Sequence, residues 1–177
     1  LVIPPGEFLM GSNDGTEERD ERPIHEVSIK RAFAIGRYEL TQAQFAEFIE
    51  TTGHEPANAC NMFFPKEMEL RREPGVSWRN PGYGRPPAAD EPVACIDWND
   101  SIKYVQWLSE KTGHNYRLLS EAEWEYVARS GATTVFPWGD DPEGACRYAN
   151  IYDAGAKIPN MPWETLNCDD GFKTVSP

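Results

Sequence analysis

The chain has 177 residues, a formal net charge of −12, four cysteines, 14 Gly, 15 Pro and 12% aromatic residues. That length supports one core and is short for two ordinary domains. With no Lys/Arg run, the acidity excludes a nucleic-acid partner, because a phosphate backbone would be repelled.

In chain order, Leu1 to Ser12 reads as a strand entering a turn, punctuated by Gly6 and Gly11. Asn13 to Arg22 is a charged loop whose acidic spacing does not follow the calcium loop of helix–loop–helix sites. From Ile24 to Ile35, Val27, Ile29, Phe33 and Ile35 alternate, which predicts one or two half-buried antiparallel strands. Thr41 to Thr52 is the first predicted helix. Thr41 and Gln44 form a capping box, Phe45, Phe48 and Ile49 make the buried stripe, and Gly53 ends it.

Glu55 to Pro92 is Pro-rich, with Phe63, Phe64, Trp78 and Tyr83, and reads as an irregular excursion. Val93 to Trp98 is an apolar-rich strand leading into a helix over Asn99 to Thr112. Asp97 or Asn99 caps that helix and Gly113 ends it. Ser120 and Glu123 form a second capping box, for a buried helix with Trp124, Val127 and Ala128 on its apolar face and Gly131 just beyond. Thr133 to Trp138 reads as a short strand, and Gly139 to Pro177 as loop. The pattern is α+β with short antiparallel strands and about three helices, in a single domain over 1–177.

Cys60, Cys95, Cys146 and Cys168 lack Cys-x-x-Cys spacing, which excludes the usual zinc and dithiol-redox arrangements. Four buried thiols and two disulfides are both open. Each of the pairs Cys60–Cys95 and Cys146–Cys168 would bracket a loop that lacks a core, although two other connectivities exist. Closing the longer loop contributes on the order of 3–4 kcal/mol in the chain-entropy account. Disulfides would favour an extracytoplasmic compartment; otherwise the sequence leaves the localisation open. No apolar run nears about 18 residues, so no membrane-spanning helix is expected. His25, His54 and His114 have no ligand spacing among them. His25 reads as a hydrogen-bonded strand residue, and the other two as partners for helix C-terminal carbonyls.

Leu118-Leu119-Ser120-Glu121-Ala122-Glu123-Trp124-Glu125-Tyr126 followed by Phe136-Pro137-Trp138-Gly139-Asp140 resembles the signature of the formylglycine-generating-enzyme (sulfatase-modifying-factor) family. Agreeing pieces run in order through Ile3 to Ser12, Glu21 to Val27, Tyr38 to Thr41, Pro92-Val93 and Ile96 to Asp100. Leu119 stands where the family usually has Pro. The resemblance implies a loop-rich variant of the C-type lectin fold. It implies an activity too: oxidation of a client sulfatase cysteine to formylglycine, with oxygen and a copper(I) ion held by two thiolates. Soft thiolates suit that ion.

The family places its two copper-binding cysteines close together near its C-terminal end, in a block this sequence lacks. No catalytic residue carries over, copper is expected only if that part is supplied, and a complementing C-terminal half is an expected partner beside a protein or peptide client. The domain therefore reads as C-terminally incomplete, and the absence of an initiator Met at Leu1 suggests processing upstream.

One family site does carry over. The motifs Tyr148-Ala149-Asn150-Ile151 and Asp170-Gly171-Phe172 match the family's structural calcium ligands: the side chains of Asn150 and Asp170 and the carbonyls of Ile151 and Phe172. These are hard oxygen donors for a hard ion; the bland alternative is an Asx-type turn at each end. Asp153 lies outside the matched motif, and its substitution is expected to weaken the effect of a chelator on melting much less than Asp170→Asn. Two other functions fit the sequence: a non-catalytic lectin-like binding module, and a domain of a sulfoxide synthase of ergothioneine biosynthesis. The latter's iron-ligating histidine cluster is absent here.

Overall fold

Alternating apolar residues at the N-terminus form two antiparallel pairs. Strand β1 (Val2–Ile3) pairs with β4 (Phe33–Ala34), and β2 (Gly6–Met10) with β3 (His25–Ile29), in the register Gly6↔Ile29 to Met10↔His25. A computed structural model describes residues 1–12, 21–159 and 161–177. The expected charged loop over 13–22 lies largely outside the described residues. Two compact units are present: Leu1–Tyr38 with Leu119–Asp141, and Glu39–Leu118 with Pro142–Pro177.

In the first unit, helix α3 (Glu121–Arg129) starts at Ser120, whose side chain accepts from the Glu123 N–H while the Glu123 carboxylate accepts from the Ser120 N–H. The helix ends one residue earlier than expected, with Ser130 itself left-handed at φ 49°. Its inner face packs on β2, with the Phe8 and Tyr126 rings 5.4 Å apart. Gly6 permits that approach, because a β-carbon there would lie 2.3 Å from the Tyr126 hydroxyl. Glu125 accepts from Gly11 N (2.9 Å) and Arg129 Nε (2.7 Å), and Arg129 donates to the Gly11 carbonyl (3.1 Å), fixing the end of β2 to the helix.

Two expectations fail in this unit. The helix is not buried as expected: Trp124 is 65% exposed, and Tyr126, Val127 and Ala128 are only half-buried. Thr133 to Trp138 is not a strand: Phe136 and Gly139 exchange backbone hydrogen bonds in a tight turn, and Phe136 stacks on Trp138 at 5.0 Å.

The second unit is built around aromatic side chains. Helix α1 (Gln42–Thr52) has the expected Thr41/Gln44 capping box and the left-handed Gly53 stop. Phe45 and Phe48 are buried with Trp78, whose ring meets Phe45 edge-on at 5.2 Å. Tyr104 and Trp107 of α2 (Trp98–Thr112) close the same cluster. Burying such rings is the dominant favourable term available to a loop-rich unit.

Asp97 caps α2 through a capping box with Asp100. The buried Asp100 carboxylate also binds His54 Nε2 at 2.7 Å. His54 therefore joins the end of α1 to the start of α2, a role beyond the helix-end contact expected for it. His25 Nδ1 lies 2.9 Å from the Pro23 carbonyl, as a hydrogen-bonded strand residue should.

Between the helices, the expected irregular excursion contains a hairpin. Strands β5 (Ala59–Phe64) and β6 (Glu69–Pro74) pair antiparallel from Ala59↔Pro74 to Phe64↔Glu69. Conversely, Val93 to Trp98 forms no strand: Thr41 bridges Pro92, Val93 N donates to Leu40 O, Cys95 then turns left-handed at φ 59°, and Trp98 already opens α2. Both disulfides bracketing core-poor loops are present, Cys60–Cys95 and Cys146–Cys168. The described chain thus mixes short antiparallel strands with three α-helices and one 3₁₀ helix, Pro142–Arg147. No described helix is long and apolar enough to cross a membrane.

Candidate metal centre

The tail from Pro142 has few apolar side chains, and its order comes from covalent and polar ties. The 3₁₀ helix carries Cys146 to its bond with Cys168. Ala154 N donates to the Cys168 carbonyl (3.2 Å) and Leu166 N to the Tyr152 carbonyl (3.3 Å), so the two ends of the loop run side by side. This brings Asn150-Ile151 against Asp170-Gly171-Phe172.

Three of the four residues named from sequence are joined there by hydrogen bonds, and Asn150 directly precedes one of them, Ile151. Asp170 Oδ2 accepts from Ile151 N (2.7 Å), joining the two motifs directly, and Oδ1 accepts from Phe172 N (2.7 Å), closing an Asx turn. Gly171 has φ 86°, a conformation that favours glycine, so the chain can reverse between the carboxylate and Phe172. Asn150 Nδ2 donates to the Thr174 carbonyl at 3.0 Å. Among the described residues, Asn150 Oδ1 and the carbonyls of Ile151 and Phe172 accept no hydrogen bond.

The structure adds two carboxylates that motif matching passes over. Asp153 is fully buried: Oδ1 accepts from Ala156 N (2.9 Å) and Oδ2 from Asp170 N (2.6 Å). The Asp170 N–H, joined by those of Ala156 and Gly155, holds the Asp153 carboxyl below its ordinary value of 3.8, against the opposing effect of burial. Asp169 Oδ1 accepts from Gly171 N at 2.8 Å. One oxygen each from Asp153, Asp169 and Asp170 lies within 4.8 Å of the others.

Asp153, which lies outside the matched motifs, is thus tied to them, since its carboxylate accepts the Asp170 N–H. A sequence signal existed in Asp153-Ala154-Gly155-Ala156, an Asp followed by small residues and able to fold back on its own backbone. The donor set is all oxygen and formally anionic, which fits a hard divalent cation such as calcium.

A thiolate-bound copper ion does not fit. All four cysteines are consumed in disulfides, leaving no thiolate to bind it.

The sequence profile of the sulfatase-modifying factor enzyme 1-like domain matches residues 1–177. The chain is 34% identical over 183 residues to a formylglycine-generating enzyme of Mycobacterium tuberculosis, covering 85% of this chain and 58% of that protein. It is 31% identical to the enzyme of the same name from Bos taurus, over 100% of this chain and 50% of that protein. It is also 32% identical to "Inactive C-alpha-formylglycine-generating enzyme 2" of Mus musculus, with 99% and 59% covered. Among solved structures, PvdO from Pseudomonas aeruginosa superposes with a TM-score of 0.67 at 30% identity, over 100% of this chain and 60% of that one. The chain spans about half to three-fifths of the length of these relatives. On the full-length profile match and these identities, the chain belongs to the sulfatase-modifying factor enzyme 1-like domain family.

Proposed function

We propose that this chain forms part of a single formylglycine-generating-enzyme-like domain, a loop-rich variant of the C-type lectin fold, and that it supplies a calcium-braced scaffold and not the oxidising centre. The observation that carries this reading is the pairing of all four cysteines, which leaves no thiolate to bind copper(I) or to reduce oxygen. In a complete domain, copper and the oxidation of a client sulfatase cysteine belong to sequence outside this chain, supplied as a complementing C-terminal half. The two disulfides are consistent with an extracytoplasmic setting.

Asn150, Ile151, Asp170 and Phe172 would hold the calcium ion, with Asp153 fixing the Asp170 backbone and Asp169 offering a further carboxylate. Bound there, the ion would neutralise converging carboxylates and tie the tail's two ends together.

Two experiments test it. Incubated with a Cys-x-Pro-x-Arg peptide, copper and oxygen, the chain should form no formylglycine; detecting the aldehyde by mass spectrometry would overturn the non-catalytic assignment. Calcium should raise Tm and a chelator lower it, since an ion that binds only the folded loop stabilises by about 2.7 kcal/mol at a hundredfold excess over Kd. A melting curve that ignores both would remove the calcium assignment and leave the first result untouched.

A second reading is a non-catalytic binding module, favoured by a relative of comparable identity whose own name describes it as inactive. It differs in predicting that adding a C-terminal half never yields oxidation.

A further inference from the structure

Among the four residues assigned to calcium, Asn150 is held differently from the rest. Ile151 and Phe172 are tied through the Asp170 carboxylate, whereas the Asn150 side chain donates Nδ2 to the Thr174 carbonyl at 3.0 Å. That contact decides which end of the amide is offered to an ion. An Asn side chain has a donor end and an acceptor end of nearly the same shape, and only the oxygen can ligate a cation. A carbonyl has no proton to give, so the end facing Thr174 is the NH2 group, and Oδ1 is the end that remains for the metal. Asn150 is exposed, and an exposed side chain without such a partner samples several rotamers and both amide orientations.

Thr174 is itself anchored to the Pro-rich excursion. Its hydroxyl accepts from Arg85 Nη2 at 3.4 Å, across 89 positions of sequence. The Arg85 fork is paired with the buried Glu91 carboxylate, which also accepts the Ala88 N–H at 2.7 Å. The Glu91 carbonyl in turn accepts from the N–H of Gln42, the first residue of α1, at 2.9 Å. A path of polar contacts thus runs from the start of α1 to Asn150, all of it within the second unit. The packing agrees with it: Thr174 and Val175 line one cleft of about 500 Å³ with Asn150 and with Pro92, the neighbour of Glu91.

We propose that Thr174 and Arg85 are positioning residues for the metal ligand Asn150. The Thr174 carbonyl sets the amide with its oxygen toward the ion, and the Arg85–Glu91 pair holds Thr174 in place. This inference rests on the calcium reading above. Groups that orient a ligand without touching the metal change its affinity by about 10- to 100-fold when lost, and the Arg85–Thr174 contact, being long and one step removed, belongs at the lower end of that range. Linkage makes the effect reciprocal: an ion that binds better when Thr174 is held must also hold the Arg85–Glu91 loop more firmly.

The test is the calcium Kd, measured by calorimetric titration at a temperature where every variant is folded by circular dichroism. Thr174→Val keeps the side-chain shape but not the hydroxyl, and should weaken binding about tenfold. Thr174→Ser restores the hydroxyl and should bind like the unmodified chain. Arg85→Lys keeps a cation for Glu91 without the guanidinium fork whose second arm reaches Thr174, and should show the same loss as Thr174→Val. The two losses should not add, because both variants break one path. Asn150→Asp keeps a ligating oxygen and lacks the N–H that Thr174 holds, so in that background Thr174→Val should no longer weaken binding. In the unmodified chain calcium should slow hydrogen exchange at the Ala88 N–H, and in Thr174→Val it should not.

Equal affinities for Thr174→Val and Thr174→Ser, additive losses, or an undiminished effect of Thr174→Val beside Asn150→Asp would each overturn the positioning role and leave the calcium reading standing. Exchange at Ala88 that ignores calcium in the unmodified chain would do the same. An unmodified chain that binds no calcium would overturn both.

Discussion

Asp153 shows what one carboxylate does in a segment without a core. Its two oxygens accept backbone N–H groups from Ala156 and Asp170, which would otherwise be left without partners. Asp153→Asn replaces one acceptor oxygen by a donor facing an N–H, so a fall in Tm of several degrees is expected from a thermal melt. Glu91 is a second such group: bidentate pairing with Arg85, then the Ala88 N–H, hold its carboxyl below the ordinary value of 4.5. Both carboxyls are depressed in the folded state, so each contributes stability that is present above its unfolded value and lost as pH falls through the folded value. Unfolding monitored from pH 7 downward should show stability declining from about pH 4.5, the higher of the two ordinary values, and continuing below 3.8. Glu91→Gln with Asp153→Asn should flatten that acid limb. An unchanged limb would mean that other carboxyls set it.

Each of the three α-helices carries its own start signal, and the signals differ in what they support. Ser120/Glu123 is an exposed capping box whose loss affects α3 locally, so Ser120→Ala should cost about 1 kcal/mol in urea unfolding. Asp100 belongs to the α2 box and also binds His54 at 2.7 Å while almost fully buried. Asp100→Ala leaves both the Asp97 N–H and the His54 ring without their acceptor, and should cost about 3 kcal/mol. Equal costs for the two substitutions would show that the His54 contact adds nothing to the cap. The hairpin β5–β6 is held to the rest of its unit through β5, by Cys60–Cys95 and by Phe63 against Trp163, rings 4.8 Å apart.

Across the whole molecule, stability is concentrated at a few points. The second unit has an aromatic cluster in which Phe45 is fully buried, so Phe45→Ala should cost about 3–5 kcal/mol by loss of transfer energy and cavity formation. The tail of the same unit should depend on an ion and not on burial. Asp170→Asn is expected to abolish most of the Tm rise caused by calcium. Glu164→Gln, an exposed acidic position outside the cluster, is expected to leave it intact. Diffuse binding to an acidic chain would treat the two alike, and that outcome would count against a site at Asp170.

The capping boxes at Thr41 and Ser120, the glycine stops at Gly53 and Gly113 and the N-terminal alternation were legible because each is satisfied within a few residues, whereas the choice of Asp97 over Asn99 as the cap of α2 was left open. The motifs around Asn150 and Asp170 could be picked out in the sequence, and the fold brings them into contact through the Ile151 N–H and the Asp170 carboxylate. The sequence alone left the cysteine connectivity open, and it assigned Val93 to Trp98 and Thr133 to Trp138 to strands. Those segments are rich in apolar residues of strand type, but a strand needs a partner edge, and here the backbone turns at Cys95 and at Phe136–Gly139 instead. The hairpin of Ala59–Phe64 and Glu69–Pro74 was hidden because its four-residue turn, Pro65 to Met68, places Met68 at φ 54° without the glycine or asparagine that usually marks such a turn. Asp153 belonged to no motif, and only the fold placed its carboxylate on the Asp170 N–H. Contacts closed within one helical turn are encoded where they occur; contacts closed across a loop depend on how the loop is tied, which only the tertiary structure decides.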